Sequence, residues 1–307
     1  MSKLTVTSSP HMRGGKTTAR IMADVLIALA PSVVAACVLY GMRALLVVAF
    51  CTLSCVLLEY VCRLVMKRKN TVCDLSAAVT GVLLALTLPP DVPLHYTLVG
   101  SVTAIVVVKQ MFGGIGNNFA NPALVGRIVM LVSFPGAMTS FRDTVFHDAV
   151  TGATPLNPGY TGEASYFDMF FGNIGGSIGE TCKLAILLGL IYLLARRVIP
   201  PIVPIVYVGT VALFTLCAGE DVLFAVLSGG LLFGAVFMAT DYVTTPITSL
   251  GKLIFAVGCG LITVLIRLYA KMDESVSYAI VLMNIVTPLI DRITRRTPFG
   301  RKKGGVV

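Results

Sequence analysis

Ten apolar runs organise the chain, at roughly 21–40, 44–66, 72–89, 94–111, 122–138, 181–198, 202–218, 222–240, 250–268 and 276–291. Most are about 17–22 residues, enough to cross the hydrocarbon core as helices. Closed β-barrel strands would instead show apolar–polar alternation over about 10 residues. The pattern therefore predicts an all-α integral membrane protein with about ten transmembrane helices. The first twenty residues are polar and hold no short apolar core with a cleavage site, so the first run reads as an uncleaved helix. One long polar loop of about 40 residues, 139–180, interrupts the series and divides the chain. A tail with five spans (1–138) precedes it, and five further spans with a basic tail (181–307) follow.

The halves echo one another. Val99-Gly100-Ser101 followed by Lys109 matches Val257-Gly258-Cys259 followed by Arg267 at identical spacing. Leu75-Ser76-Ala77-Ala78, then Gly81 and Thr87, resembles Leu227-Ser228-Gly229-Gly230, then Gly234 and Thr240. A unit of five spans is odd, so the second copy enters the membrane inverted. Such repeats place their working site at the repeat interface, often where helices break. Candidate breaks are Thr87-Leu88-Pro89-Pro90, the stretch from Thr240 to Pro246, and Phe112-Gly113-Gly114-Ile115-Gly116-Asn117-Asn118-Phe119-Ala120-Asn121-Pro122; ordinary inter-helix loops are the competing reading.

Composition agrees with a membrane protein: 56% of residues are apolar and 13% charged. The net charge of +9 becomes informative once sorted by side. With the N-terminus inside and the spans alternating, eighteen basic residues fall inside and five outside, leaving Arg127 within a span. The positive-inside rule then puts both termini in the cytoplasm and the 139–180 loop outside. The tail Arg301-Lys302-Lys303 anchors this topology and does not call for nucleic acid.

Several chemistries find no support. None of His11, His95 and His147 lies mid-span and no pair has ligand spacing, and the eight cysteines include no C-x-x-C. They scatter as small apolar residues; Cys37 and Cys182 fall toward the outer leaflet, where they could meet a partner. No metal site, P-loop or Ser-His-Asp set is predicted. Ionisable groups within spans are expensive. Asp24, Glu59, Asp74, Asp241 and Asp291 fall toward the inner ends, where lysines, arginines or water can meet them. Arg127 either snorkels inward or lines a cavity facing an anion.

The loop carries the sharpest chemistry. Asp148-Ala149-Val150-Thr151-Gly152-Ala153-Thr154 follows the acceptor pattern Asp-x-x-[Ser/Thr]-Gly-Ala-Thr, in which the final threonine is esterified to the phosphate of FMN. The hydroxyl of Thr154 is what a phosphoester requires. Gly152 and Ala153 keep the acceptor accessible, Asp148 helps present it to the modifying transferase, and Thr151 stands where serine is usual. A chance turn with a helix cap is the alternative. Downstream, Phe171-Gly172-Asn173-Ile174-Gly175-Gly176-Ser177-Ile178-Gly179-Glu180 opens span six, its glycines serving either a phosphate or close packing. Tyr166, Phe167, Met169, Phe170 and Phe171 are expected in an interfacial aromatic belt.

With these segments in place, the chain resembles the family of the Rnf complex's D component (RnfD) and, more distantly, the B component (NqrB) of the sodium-pumping NADH:quinone reductase. Carrying the resemblance are Ser9-Pro10-His11, Ile21-Met22-Ala23-Asp24-Val25, Phe119-Ala120-Asn121-Pro122-Ala123-Leu124-Val125-Gly126 and Ser133-Phe134-Pro135. Gly179-Glu180-Thr181, Phe237-Met238-Ala239-Thr240-Asp241, Leu282-Met283-Asn284 and Pro288-Leu289-Ile290-Asp291 complete it. It implies a urea-transporter-like inverted-repeat fold and covalent FMN at Thr154. It also implies electron transfer between ferredoxin and NAD+ coupled to Na+ or H+ translocation. The implied partners are the A, B, C, E and G components of the Rnf complex, a flavin transferase and the lipid bilayer. A second, noncovalent riboflavin is suggested by the family, and no residue here identifies it. The quinone-reductase component, a urea-type solute channel without flavin, and a scaffold for other redox proteins remain as alternatives.

Overall fold

The computed structural model describes residues 17–141, 156, 165–270, 272 and 274–295. Among them the regular structure is entirely helical: thirteen α-helical segments, three of which border π-helical turns, and one 3₁₀ turn. Helix α1 (Thr18–Tyr40) starts where Thr17 accepts the Arg20 amide, and ends at Gly41, whose φ of 72° turns the chain directly into α2 (Met42–Val65). A 3₁₀ turn at Val72–Asp74 and Leu75, at φ 59°, then lead into α3 (Ser76–Leu86). Helix α4 (Leu94–Val102) continues as a π-helix over Thr103–Gln110. Asn121 caps α5 (Pro122–Ser133) through the Ala123 amide, with proline in the first turn where no donor is missed. The short α6 (Pro135–Met138) and α7 (Tyr166–Phe171) border the long loop.

The second half begins with α8 (Lys183–Ala195) and α9 (Ile202–Cys217). Helix α10 (Val222–Leu227) stops at Ser228, and α11 (Leu231–Phe233) runs on as a π-helix over Gly234–Met238. Helix α12 (Ser249–Leu265) extends as π-helix over Ile266–Ala270, and α13 (Ser275–Thr294) closes the fold. The halves pack together through α1 on α8 and α5 on α13. Gly189 of α8 makes the first contact possible, because a Cβ there would stand 2.5 Å from the Ala28 carbonyl of α1.

Four helices are long and apolar enough to cross a bilayer unbroken: α1, α2, α12 with its extension, and α13. Runs 94–111, 181–198 and 202–218 form shorter unbroken helices, Leu94–Gln110, Lys183–Ala195 and Ile202–Cys217, and the other three differ from continuous spans. Run 72–89 contributes only the eleven residues of α3, about 16 Å of helix against a core of about 30 Å. Run 222–240 breaks at Ser228-Gly229-Gly230, and run 122–138 breaks at Phe134. The three candidate breaks expected from sequence are non-helical, apart from Pro122, which opens α5.

Matching contacts recur in the two halves. A Cβ on Gly100 of α4 would meet the Met130 Sδ of α5 at 2.3 Å, and one on Gly258 of α12 would meet the Met283 Cε of α13 at 2.5 Å. Both third runs interrupt at a residue with positive φ, Leu75 at 59° and Gly229 at 62°.

Candidate functional site

Broken helices leave carbonyls without intrahelical donors, which in a membrane must be bonded by protein or water. Each break here has its own donors. Residues 87–90, after α3, are all buried. The Leu86 carbonyl accepts the Gly179 amide at 2.7 Å and the Leu88 carbonyl accepts that of Ile178 at 3.0 Å. Gly179 has to be glycine for this approach, since a Cβ would lie 2.6 Å from that of Leu86. The glycine run is therefore not the N-terminus of α8, which begins at Lys183; two of its amides are committed to α3, and close packing accounts for Gly179.

After the second break, Asn121 donates to the Met238 carbonyl at 3.3 Å, Thr245 to Ala239 at 2.9 Å and Thr287 to Thr244 at 3.0 Å. Asn284, with its amide oriented to satisfy both atoms, donates to Thr244 O and accepts from the Asn121 amide. Proline, amide and hydroxyl residues at these positions are thus the bonding set of a broken helix.

Buried cations brace the same places. Lys109, 2% exposed, pairs with Glu59 at 2.8 Å and donates to the Ser76 hydroxyl at 2.7 Å, at the first residue of α3. Thr71 donates to the other Glu59 oxygen. In the second half Arg267 bonds the carbonyls of Ala225 and Ser228 and the hydroxyl of Ser275. Lys183, 1% exposed, donates to the carbonyls of Glu180 and Gly229. Sorting charges by side counts Lys109, Lys183 and Arg267 as face charges; all three instead turn inward onto broken helices. The equal spacing from Gly100 to Lys109 and from Gly258 to Arg267 is the sequence signal for two of them.

Arg127 neither snorkels nor stands free. Its guanidinium bridges Glu180 and Glu274 and also donates to the Ser177 hydroxyl at 3.2 Å, joining three segments far apart in sequence. Burial pushes the Glu274 carboxyl above the usual range, with Arg127 pulling the other way. Asp24 meets Arg196 at 3.3 Å, the kind of basic partner expected for it from the sequence. Asp291 takes the Ile247 amide at 3.0 Å, and Asp241 the Thr244 hydroxyl at 3.3 Å.

Two clefts result. A larger one, about 770 Å³ with its mouth, is lined by Ser76, Lys109, Asn118, Asn121, Thr240 and Asp241 among others. A second, about 410 Å³, collects Arg127, Ser177, Glu180, Thr181, Lys183 and Glu274. Leu156 reaches into this second cleft and packs on Gly229. The acceptor motif itself, with Asp148, Thr151, Gly152, Ala153 and Thr154, lies outside the described residues. Of the expected aromatic belt, Phe167 is 74% exposed, whereas Met169 is fully buried. Tyr166 gives its hydroxyl to Asp221, and that bond holds the Asp221 carboxyl below the usual range.

Long apolar helices, discontinuous helices with bonded breaks and buried charge clusters define a multi-pass integral membrane protein. The chain belongs to the NQR2, RnfD, RnfE family, whose profile matches residues 5–300. It is 48% identical to the D component of the Na(+)-translocating ferredoxin:NAD(+) oxidoreductase complex of Acetobacterium woodii, over 98% of this chain and 96% of the relative. The proton-translocating counterpart from Clostridium ljungdahlii is 41% identical, covering 97% of both. The D component of an ion-translocating oxidoreductase complex from Stutzerimonas stutzeri is 36% identical, covering 93% of each.

Proposed function

We propose that the chain is the D-type membrane component of an ion-translocating ferredoxin:NAD+ oxidoreductase, carrying FMN covalently on Thr154 and moving Na+ or H+ with electron flow. The end-to-end similarity to the D components of ferredoxin:NAD+ oxidoreductases carries the reading, and favours it over the quinone-reductase component. The acceptor pattern at 148–154 supports the flavin.

Thr181 Oγ1 is buried in the second cleft without a hydrogen-bond partner among the described residues. When bound, FMN supplies reversible electron transfer; the protein holds and orients it. Leu156, two residues beyond the acceptor, packs on Gly229 and lines the second cleft. A second, noncovalent riboflavin and the A, B, C, E and G components complete the assembly in this reading.

Ten spans form two inverted five-span repeats, urea-transporter-like, with residues 1–138 and 181–307 flanking the flavin-bearing segment 139–180. The paired glycine–methionine contacts support this, as do the paired cations Lys109 at Ser76 and Arg267 at Ser228. Both termini are cytoplasmic and the loop lies outside. Taking the inward-turned Lys109, Lys183 and Arg267 out of the charge count leaves seventeen basic residues against three, so the bias strengthens. A cysteine placed near Thr161, in a chain lacking its native cysteines, is expected to react with an impermeant thiol reagent on intact cells; labelling only after lysis would overturn the orientation.

The flavin is tested by expressing the chain with a flavin transferase and viewing a denaturing gel under ultraviolet light. A fluorescent band is expected for the wild type and none for Thr154→Ala. A colourless wild type, from cells that flavinylate other targets, would favour a solute channel.

A further inference from the structure

One buried cation is left over when the ion pairs are assigned. Arg63 lies in the last turn of α2, is 8% exposed, and its Nε is buried without a hydrogen-bond partner among the described residues. The guanidinium rests on the backbone of Gly114 in the loop after the π-helix. A Cβ on Gly114 would collide with Arg63 Nη2, and its φ of 100° is one that glycine alone adopts readily.

The carboxylates of this corner do not answer Arg63. Glu59, one turn back on α2, is taken by Lys109 and Thr71, so two buried cations share one buried carboxylate. Among the described residues Asp74 forms no ion pair, and no carboxylate lies within 4 Å of the Arg63 guanidinium. The segments 1–16 and 296–307 contain no aspartate or glutamate. A buried cation without a counter-ion is costly, and more so at a membrane.

Its depth points to the anion. The 24 residues of α2 make about 36 Å of helix against a hydrocarbon core of about 30 Å. Arg63, two residues from the end, therefore stands about where headgroups begin. Tyr60 and Leu64, at the neighbouring positions of the same helix face, are exposed, as bilayer-facing residues are. On the loop side Phe112 and Phe119 are exposed too, their ring centroids 5.0 Å apart. Lys67, Arg68 and Lys69 follow the helix, all exposed. We propose that Arg63 holds the phosphate of an anionic phospholipid in the leaflet on this face. Basic pockets between membrane helices take such headgroups, and a guanidinium can bond a phosphate through two parallel donors. The lipid phosphate supplies the counter-charge, the apolar residues on either side meet its acyl chains, and Lys67, Arg68 and Lys69 favour a headgroup with net negative charge.

The test uses the full chain, purified in a neutral detergent, stripped of lipid and titrated with phosphatidylglycerol, with native mass spectrometry counting the lipids retained. The wild type is expected to keep a phosphatidylglycerol that Arg63→Gln binds at least about tenfold more weakly, the loss of one charge-assisted hydrogen bond to phosphate. Arg63→Lys, which keeps the charge without the fork, is expected to recover part of the affinity. Arg20→Gln, which removes an exposed cation from the first turn of α1, is expected to change nothing. Should Arg63→Gln fail to accumulate, Leu64→Glu decides: it leaves Arg63 in place, sets a negative charge on the exposed face beside it, and is expected to weaken binding to a similar degree. Equal affinity in Arg63→Gln and wild type overturns the proposal, as does an equal loss in Arg20→Gln. Displacement of the lipid by inorganic phosphate would make this a free-anion site and overturn the lipid assignment. A wild type that retains no phosphatidylglycerol overturns it as well, and would leave an acidic segment of a neighbouring protein as the counter-ion.

Discussion

Replacing Arg127 by methionine is expected to lower the stability of the chain by about 3–5 kcal/mol, the cost of breaking a buried ion pair from one side. The variant would leave Glu180 and Glu274, each with a side chain about 10% exposed, facing one another without a cation. Two such carboxylates cannot both stay ionised at low cost; one must take up a proton or the segments must separate. Because they belong to different parts of the chain, separation would loosen the joint between α5, the start of α8 and the start of α13. Combining Arg127→Met with Glu180→Gln and Glu274→Gln is expected to recover most of the loss, since removing a whole charge cluster is often near neutral. Denaturation of the purified protein in detergent measures both. An Arg127→Met chain as stable as the wild type would show that the triad does not hold these segments together.

A comparable loss, again about 3–5 kcal/mol, is expected for Lys109→Met. Glu59 is 1% exposed and its remaining bond would be to the Thr71 hydroxyl. The same substitution removes the donor to Ser76, so the start of α3 loses its brace. The companion Glu59→Gln variant frees a buried ammonium instead. The double variant is expected to be more stable than either single one, giving a coupling energy of at least about 1 kcal/mol in a double-mutant cycle, within the range for contacting residues. Additive losses would mean that the two side chains act independently.

The long helices were legible because unbroken apolar runs and helix length report the same thing. Run 44–66 corresponds to Met42–Val65, and run 276–291 to Ser275–Thr294. The interruptions were harder. Residues 75–88 are almost all apolar or small, so hydropathy does not register that Leu75 takes a positive φ or that the helix stops at Leu86. Those stops are set by partners remote in sequence: Lys109 at one end of α3, and Ile178 and Gly179 at the other. The same holds for Arg127, whose two glutamates are 53 and 147 residues away. Charge counting places Lys183 and Arg267 at a surface because it sorts residues by loop and ignores where their long side chains reach. The acceptor motif is the opposite case. Its pattern is local, a hydroxyl among small residues at 148–154, and needs no remote partner to stand out in the sequence.

Function as an electron carrier is a stronger claim than the presence of a flavin, because a scaffold could also be flavinylated. The most direct measurement is ferredoxin:NAD+ turnover by the purified complex assembled with Thr154→Ala. The complex is expected to assemble with its normal set of components while turnover collapses, since one carrier is missing from the series of transfers. Wild-type turnover from a correctly assembled Thr154→Ala complex would contradict it and make this protein a structural part of the membrane assembly.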